Sequence, residues 1–407
     1  MSVAPGRRRW WRLLQPVVVV AILVAVGSTL PFEDELSLAA DGALAHESHT
    51  GEIVGDWKGD RAEFAVAGAA NDARYLLARD DAGVWRASAT GAGEVSARAA
   101  ELRPSMQRVF GSVDPSGLAL AFLAFFTALS FGITRWWRLL RLSGCNVRWW
   151  DAFRLTYLGM FFNLVVPGLT GGDVIKAVLA VRENPGRRAD ALVSVVMDRV
   201  LGLVALAALA MVVILVLGGP FAELRVPMAI ALVAMVAGGL VYVNRAVRQL
   251  VRFEALLARM PLGARLAELD RAVMAYTRHP WELALAFALS LCNHLAAIAG
   301  VMALGVAFGV SRAVLGWWQY VAIVPVANIV SALPIAPGGW GVGEAAFHYL
   351  FELVGASGAL GVAVSIAYRL CQLAVGLLGG LYLLRPGQRA ELRSVDVETA
   401  AAAAPSA

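Results

Sequence analysis

Two apolar runs of this chain are interrupted at their centres by helix-breaking residues. The first, residues 161–181, reads FFNLVVPGLTGGDVIKAVLAV, and the second, residues 327–347, reads ANIVSALPIAPGGWGVGEAAF. Each contains an Asn, a Pro-Gly break, paired glycines and an acid at the start of a new apolar segment. Pro removes a backbone donor, and Gly costs about 1 kcal/mol relative to Ala inside a helix. Each run therefore predicts two short helices joined by a break.

The composition indicates that these breaks lie inside a membrane. Of the 407 residues 59% are apolar and 16% are charged, which leaves too little polar surface for a soluble protein of this length. We therefore predict an all-α polytopic membrane protein. Broken backbone at membrane depth is tolerated only beside protein or a wet cavity, and matching breaks in two halves indicate a transporter site.

Polarity divides the chain into four parts. Residues 1–33 form a basic segment and an apolar stretch, either a cleaved signal or, as we favour, a retained anchor. Residues 34–113 are polar, with 15 acids against 8 bases between Glu33 and Asp114, and their weak strand signals predict a small β-rich extracytoplasmic domain that ends in an amphipathic stretch, 97–110. Residues 114–385 form the transmembrane domain, and 386–407 are expected to be a disordered cytoplasmic tail.

The arginines orient the predicted spans, since basic loops stay in the cytoplasm. With the anchor, six crossings are expected, the last five at 117–134, 191–217, 226–243, 283–308 and 360–384. Arginines flank both ends of the first broken unit, 155–181, which makes it a re-entrant hairpin from the inside. The second, 316–354, then starts and finishes outside, although its first arm looks long enough to cross. The result is an inverted repeat of two opposed hairpins with both termini cytoplasmic.

The loop Arg245–Arg278 carries leucines and methionines between its arginines. This spacing predicts an amphipathic surface helix that lies on anionic lipid.

The candidate site residues cluster at the two breaks and in two spans. Asp173 and Glu344 each begin a helix, where a carboxylate either caps free amides or borders an anion pocket for a lipid phosphate. Lys176 could contribute to that pocket or simply neutralise Asp173. The candidate lipid- or anion-binding residues are Asn163, Pro167, Gly168, Gly171, Gly172, Asp173, Lys176, Asp198, Arg199, Asn328, Pro337, Gly338, Gly339, Glu344, Tyr368 and Arg369.

Ionisable groups inside spans are rare and usually face an interior cavity. Asp198 and Arg199 form an acid–base pair at the opening of a span, where an interfacial position is an alternative. Arg369 is expected to lie deeper, and it faces either Glu344 as a scaffold contact or an anionic headgroup.

No catalytic motif is present, whether P-loop, GxSxG, HExxH or Rossmann glycine pattern. The three cysteines form no CxxC pair, and His46 and His49 are interpreted as part of a solvated loop. We therefore expect no enzyme activity, no catalytic residue, no metal and no cofactor. Nucleic acid is not expected as a partner either, because the arginines adjoin the spans.

Four sequence boxes carry a family resemblance. In order and spacing, FFNLVVPGLTGGDVIKAVL, VVMDRVLGLVAL, LPIAPGGWGVGEAAF and AYRLCQLAVGLLGG resemble the lysylphosphatidylglycerol synthase transmembrane region family, also called flippase-like domain proteins, over about 117–384. The resemblance implies a bacterial inner-membrane protein. The aminoacyl-transferase domain of the synthases has no counterpart after Arg385, so synthase activity is not expected.

Together these observations predict a stand-alone translocator of an anionic phospholipid or lipid-linked headgroup. Lys176, Arg199 and Arg369 would be its cationic contacts, between the two hairpin tips. The alternative is a non-transporting accessory subunit of a polyprenyl-linked glycosyltransferase or envelope-assembly system, in which case an envelope enzyme would be its partner.

Overall fold

The computed structural model describes residues 32–39, 46–67, 73–80, 85–90, 98–165, 171–260, 262–332 and 339–380. The predicted anchor, the C-terminal tail and the two Pro-Gly breaks themselves lie outside these residues. The chain forms two compact units, of which one comprises Met1–Ala124, Leu209–Met228 and Leu295–Tyr368, and the other Phe125–Ala208, Ala229–His294 and Arg369–Ala407.

The polar N-terminal block contains six strands, which pair antiparallel in sequence order and close into a barrel. They are β1 (Asp34–Ala39), β2 (His46–Val54), β3 (Arg61–Val66), β4 (Arg74–Arg79), β5 (Trp85–Ala89) and β6 (Arg98–Arg103). Closure comes from β6 pairing with β1, where Leu36 lies opposite Leu102. Apolar side chains including Leu38, Ile53 and Phe64 are buried within it. Closing the sheet leaves no free strand edge, which protects so small a sheet from pairing with other chains.

Two sequence interpretations of this block were wrong. Residues 97–110 do not form one amphipathic segment but β6 followed by a short helix, α1 (Met106–Gly111), since Ser105 caps that helix by accepting from the Arg108 N–H. His46 and His49 lie in β2 and not in a loop.

Side-chain contacts connect the barrel to the chain that follows it. Asp34 is buried and accepts hydrogen bonds from the backbone N–H groups of Ile53 (3.0 Å) and Ser105 (2.7 Å) and from Arg108 Nε (2.8 Å). In the same compact unit, Lys58 Nζ donates to the backbone carbonyl of Ala307 at 2.8 Å, and also to that of Ser112.

Thirteen α-helices are present in the described part of the chain. After α1 come α2 (Pro115–Leu142), α3 (Trp149–Val165), α4 (Gly171–Glu183), α5 (Arg188–Leu217), α6 (Arg225–Val243), α7 (Arg245–Leu250), α8 (Phe253–Arg259), α9 (Gly263–Tyr276), α10 (Pro280–Ala307), α11 (Trp317–Ser331), α12 (Val342–Leu353) and α13 (Gly358–Gly380).

Five apolar segments of the described chain are long enough to cross a bilayer by length and composition. They are Pro115–Leu142, Pro185–Val216, Phe221–Val243, Pro280–Ala307 and Gly358–Leu378. These candidate spans coincide with the five segments expected after the anchor, and the chain is a mostly helical, polytopic membrane protein.

Each broken unit forms two short helices that pack against each other, α3 with α4 and α11 with α12. The four helices have 17, 13, 15 and 12 residues, so the longest reaches about 26 Å at 1.5 Å per residue, short of a hydrocarbon core of about 30 Å. The expectation that the first arm of the second unit is long enough to cross was therefore wrong, because α11 already ends at Ser331. Re-entry of these helix pairs from opposite sides stays a prediction.

The arginine-rich loop forms three helices, α7, α8 and α9, and not the one helix that was expected. Arg252 (φ 49°) and Leu262 (φ 70°) adopt left-handed backbone conformations, and the chain changes direction at each of them between one helix and the next. Helix α9 packs into a core that includes Leu139, Val193 and Tyr276.

Candidate functional site

A buried cluster of charges joins α2, α4 and α5. Asp198 of α5, only 6% exposed, accepts a hydrogen bond from Arg135 Nε at 2.7 Å and lies 3.5 Å from Lys176 Nζ. Arg135 also donates to Ser290 Oγ of α10 at 2.8 Å. All four side chains are buried. One carboxylate therefore stabilises two cations that are removed from solvent.

An aromatic ring provides the second stabilising contact for Lys176. Its Nζ lies 3.8 Å from the centroid of the Trp136 ring, close enough for a cation–π interaction. Trp136 in turn donates its indole N–H to Ser194 Oγ at 3.2 Å. Carboxylate and ring together hold Lys176 inside the helix bundle.

Asp173 pairs with Arg199, and Lys176 pairs with Asp198. Of the two roles that the sequence left open for Lys176, an ion pair with Asp173 is therefore not the one formed. Lys176 points from α4 toward the buried face of α5. The Arg199 side chain is 61% exposed and meets Asp173 near the outside of the same two helices. One acid–base pair is thus enclosed, and the other is accessible.

Asp198 lies well inside its helix. Helix α5 begins at Arg188, and the ten residues from there to Asp198 correspond to roughly 15 Å along the axis. The interpretation that Asp198 and Arg199 open a span was therefore wrong, because α5 begins ten residues before Asp198.

An open groove of about 790 Å³ lies between α4 and α5. Its walls are aliphatic and include Val174, Val196 and Val200. Arg182 and Arg188 line one end, where α4 finishes and α5 starts, and the Asp173–Arg199 pair lines the other. Eleven residues of α5 separate Arg188 from Arg199, or roughly 16 Å. The groove, which we call the α4–α5 groove, offers an aliphatic surface between two arginines at one end and an acid–base pair at the other.

In the second broken unit, Glu344 caps a helix. Its Oε2 accepts the Gly341 N–H at 2.6 Å, and its Oε1 accepts from Ser365 Oγ at 3.4 Å, both in a buried position. The capping interpretation is thus confirmed for Glu344, and an additional part in an anion pocket stays a prediction. Gly339 has φ +68°, and a Cβ there would lie 2.4 Å from the Ser331 carbonyl oxygen, so only glycine fits.

The remaining candidates are placed as follows. Gly171 and Gly172 begin α4; Asn328 is half-buried in α11; Tyr368 and Arg369 are half-buried in α13. Pro167, Gly168, Pro337 and Gly338, and the Asn163 side chain, lie outside the described residues. The proposed contact of Arg369 with Glu344 or with a headgroup stays a prediction. No group of three or more His, Cys, Asp or Glu side chains in the described segments is placed to hold a metal ion.

Sequence reasoning missed Arg135, Trp136 and Ser290. Arg135 was counted as a cytoplasmic flanking residue because the apolar run seems to end at Thr134. In the structure α2 continues to Leu142. The available signal was the sequence Trp136-Trp137 with Leu139 and Leu140, which continues the apolar helix past the first arginine.

Comparison with known proteins identifies the family of this chain. A family model described as lysylphosphatidylglycerol synthase TM region matches residues 100–380, which include both broken units, the charge cluster and the α4–α5 groove. No curated protein and no solved structure matches the chain. The chain therefore belongs to the lysylphosphatidylglycerol synthase transmembrane region family, as a multi-pass membrane protein with a lipid-related, flippase-like domain.

Proposed function

We propose that this protein moves an anionic phospholipid or lipid-linked headgroup between the leaflets of the bacterial inner membrane, without covalent chemistry. The α4–α5 groove is the observation that carries the proposal. Guanidinium groups bind phosphate through charge-assisted, bidentate hydrogen bonds, and the aliphatic walls suit an acyl chain. An aliphatic groove with two arginines at one end and an exchangeable acid–base pair at the other matches a lipid better than it matches a sugar or a free nucleotide.

The groove suggests two successive positions for one phosphate. Arg182 and Arg188 would receive the headgroup at the interface, and Arg199 would hold it roughly 16 Å deeper after exchanging Asp173 for the phosphate. The exposed pair at Asp173 and Arg199 can open without uncovering a buried charge, because the side chain of Arg199 is already accessible.

The buried cluster would position α4 and would not touch the lipid in this state. Lys176 is enclosed by Asp198 and Trp136, so its proposed headgroup contact requires α4 to move. We propose that the two helix pairs are hairpins that enter from opposite sides, with cytoplasmic termini, and that they open alternately. Arg369 would then serve the second half of the path.

Translocation by the purified protein tests this proposal. Vesicles of phosphatidylglycerol and phosphatidylcholine carrying a trace of headgroup-labelled fluorescent phosphatidylglycerol would be treated with a membrane-impermeant quencher. The protein should expose the inner-leaflet label, and Arg182→Gln combined with Arg188→Gln should slow this at least about tenfold, since each arginine near an anionic lipid contributes about 1 kcal/mol.

The matched control removes the same charge elsewhere. Arg148→Gln combined with Arg278→Gln alters two exposed arginines outside the groove and should leave the rate unchanged. If the pure protein moves no lipid but co-purifies stoichiometrically with an envelope glycosyltransferase, the accessory-subunit alternative is favoured and transport is refuted.

A further inference from the structure

A second groove, separate from the α4–α5 groove, lies among α7, α8 and α9. Its volume is about 580 Å³, and three arginines line it, Arg245, Arg252 and Arg271. We call it the arginine groove. The helices around it connect two membrane-spanning segments, α6 and α10, so the groove begins only two residues after the first of these ends.

A fourth arginine fixes the shape of the arginine groove. Arg248 donates to both carboxylate oxygens of Asp270, at 2.8 and 2.6 Å, and its guanidinium lies 4.5 Å from the centroid of the Phe253 ring. Tyr242 also donates to Asp270 at 2.6 Å. The hydrogen bonds from Arg248 hold the pKa of the Asp270 carboxyl below its ordinary value. Arg248 and Asp270 therefore cancel each other and join α7 to α9.

The other cations of the arginine groove are unbalanced. Arg245, Arg252 and Arg271 are exposed, and none forms an ion pair with another residue in the described part of the chain. Glu254 is the one acid besides Asp270 in the lining. Three cations less one carboxylate leave a net charge of +2 around a concave surface, which fits an anion.

The backbone at Arg252 is held in an unusual conformation beside the arginine groove. Its φ and ψ of 49° and 48° are left-handed, a conformation that favours glycine and is uncommon for a long side chain. Non-glycine residues held in such conformations cluster at ligand sites, where the surroundings maintain the strain. An arginine kept at this position keeps its guanidinium on the groove.

The same segment, 245–276, also exposes large apolar side chains. Leu250, at the end of α7, is 83% exposed, and Leu262, just before α9, is 65% exposed. Leucines beside arginines suit the boundary between headgroups and acyl chains. Helix α9 holds this surface on the spanning helices, since the Tyr276 hydroxyl donates to the Leu139 carbonyl at 3.1 Å.

We propose that the arginine groove binds the phosphate of an anionic glycerophospholipid from the adjacent leaflet, with Leu250 and Leu262 at the acyl boundary. The lipid would dock this segment on the membrane and would not be transported. Charge complementarity selects the headgroup, and the flanking leucines select a lipid over a soluble phosphate. This binding does not depend on the proposed translocation.

The test is lipid binding by the full-length protein in neutral detergent micelles. Fluorescent phosphatidylglycerol would be titrated into wild-type protein and into the double variant Arg245→Gln, Arg252→Asn, in which Asn tolerates the left-handed backbone. Affinity should fall about thirtyfold, because each arginine near an anionic lipid contributes about fivefold. The control, Arg259→Gln with Arg265→Gln, removes two exposed arginines of the same segment that do not line the groove and should bind as the wild type does.

Four results would overturn the proposal: unchanged affinity in the double variant, an equal loss in the control, equal binding of phosphatidylcholine, or equal binding of soluble glycerol phosphate, which would show a free-phosphate site. If the double variant does not fold, Arg271→Gln takes its place, with an expected fivefold loss.

Discussion

Replacing Asp198 with Asn tests the buried charge cluster most severely, because Arg135 and Lys176 share its carboxylate. Both cations are buried, and the contacts are 2.7 Å and 3.5 Å long. Breaking a buried ion pair by removing one partner usually costs about 3–5 kcal/mol, since the remaining charge has lost both solvent and partner. Asn keeps the size of the side chain, so this cost is electrostatic. We expect Asp198→Asn to lower the free energy of unfolding by that amount.

A second substitution separates charge from packing. Lys176→Met in the Asp198→Asn background removes one of the two orphaned cations, so the double variant should be more stable than the two separate losses added together. A coupling of about 1–3 kcal/mol is expected for groups in one network. The Trp136 contact would be lost in both Lys176→Met variants and therefore cancels in the cycle.

Unfolding in a denaturing detergent, followed by circular dichroism, measures these differences. Asp190→Asn is the control, since Asp190 of the same helix only faces Arg187 at 3.6 Å near the surface, and such pairs contribute about 0–1 kcal/mol. A loss below about 1 kcal/mol for Asp198→Asn, or strict additivity with Lys176→Met, would refute the reasoning.

Two further predictions concern the barrel. Lys58→Met removes a charged donor from two backbone carbonyls, including that of Ala307, and should cost about 1.5–3 kcal/mol. Hydrogen exchange in β2 and β3 should therefore accelerate. Unchanged protection of these strands would contradict this prediction. Burial alone would raise the pKa of Asp34, but hydrogen bonds from Ser105 and from the end of β2, together with Arg108, hold it below its ordinary value. Such a carboxylate stabilises the fold above its unfolded pKa of about 3.9, and this stabilisation is lost as the pH falls through its folded pKa. The stability of Asp34→Asn should therefore fall less steeply with acid than that of the wild type. An unaltered acid transition would speak against this role of Asp34.

The helical architecture was largely predictable because its signals are local. Apolar runs of about 20 residues specify spans, and Pro with paired Gly specifies the breaks. Barrel closure was not predictable, since pairing of β6 with β1 joins residues more than 60 positions apart. The division of 245–278 into three helices was also missed, because Arg252 and Leu262 take left-handed conformations without the glycine that would have signalled them.

The candidate site was predictable in some of its members but not in its pairings. Asp173, Lys176, Asp198 and Arg199 are indeed brought together. Helical spacing suggested a contact between Asp173 and Lys176, but spacing within one helix does not show the register of a neighbouring helix, which here gives each residue a partner on α5. Arg135 was missed because a charged residue at the end of an apolar run looks like a loop residue.

Filling the α4–α5 groove tests the central claim most directly. Val196 is half exposed on the groove wall, and Val196→Trp would occupy the space proposed for the acyl chain; Val212→Trp, an exposed position of the same helix outside the lining, is the matched control. In reconstituted vesicles, translocation of fluorescent phosphatidylglycerol should fall to the protein-free rate with Val196→Trp and stay at the wild-type rate with Val212→Trp. Wild-type translocation by a folded Val196→Trp protein would show that lipid does not use this groove.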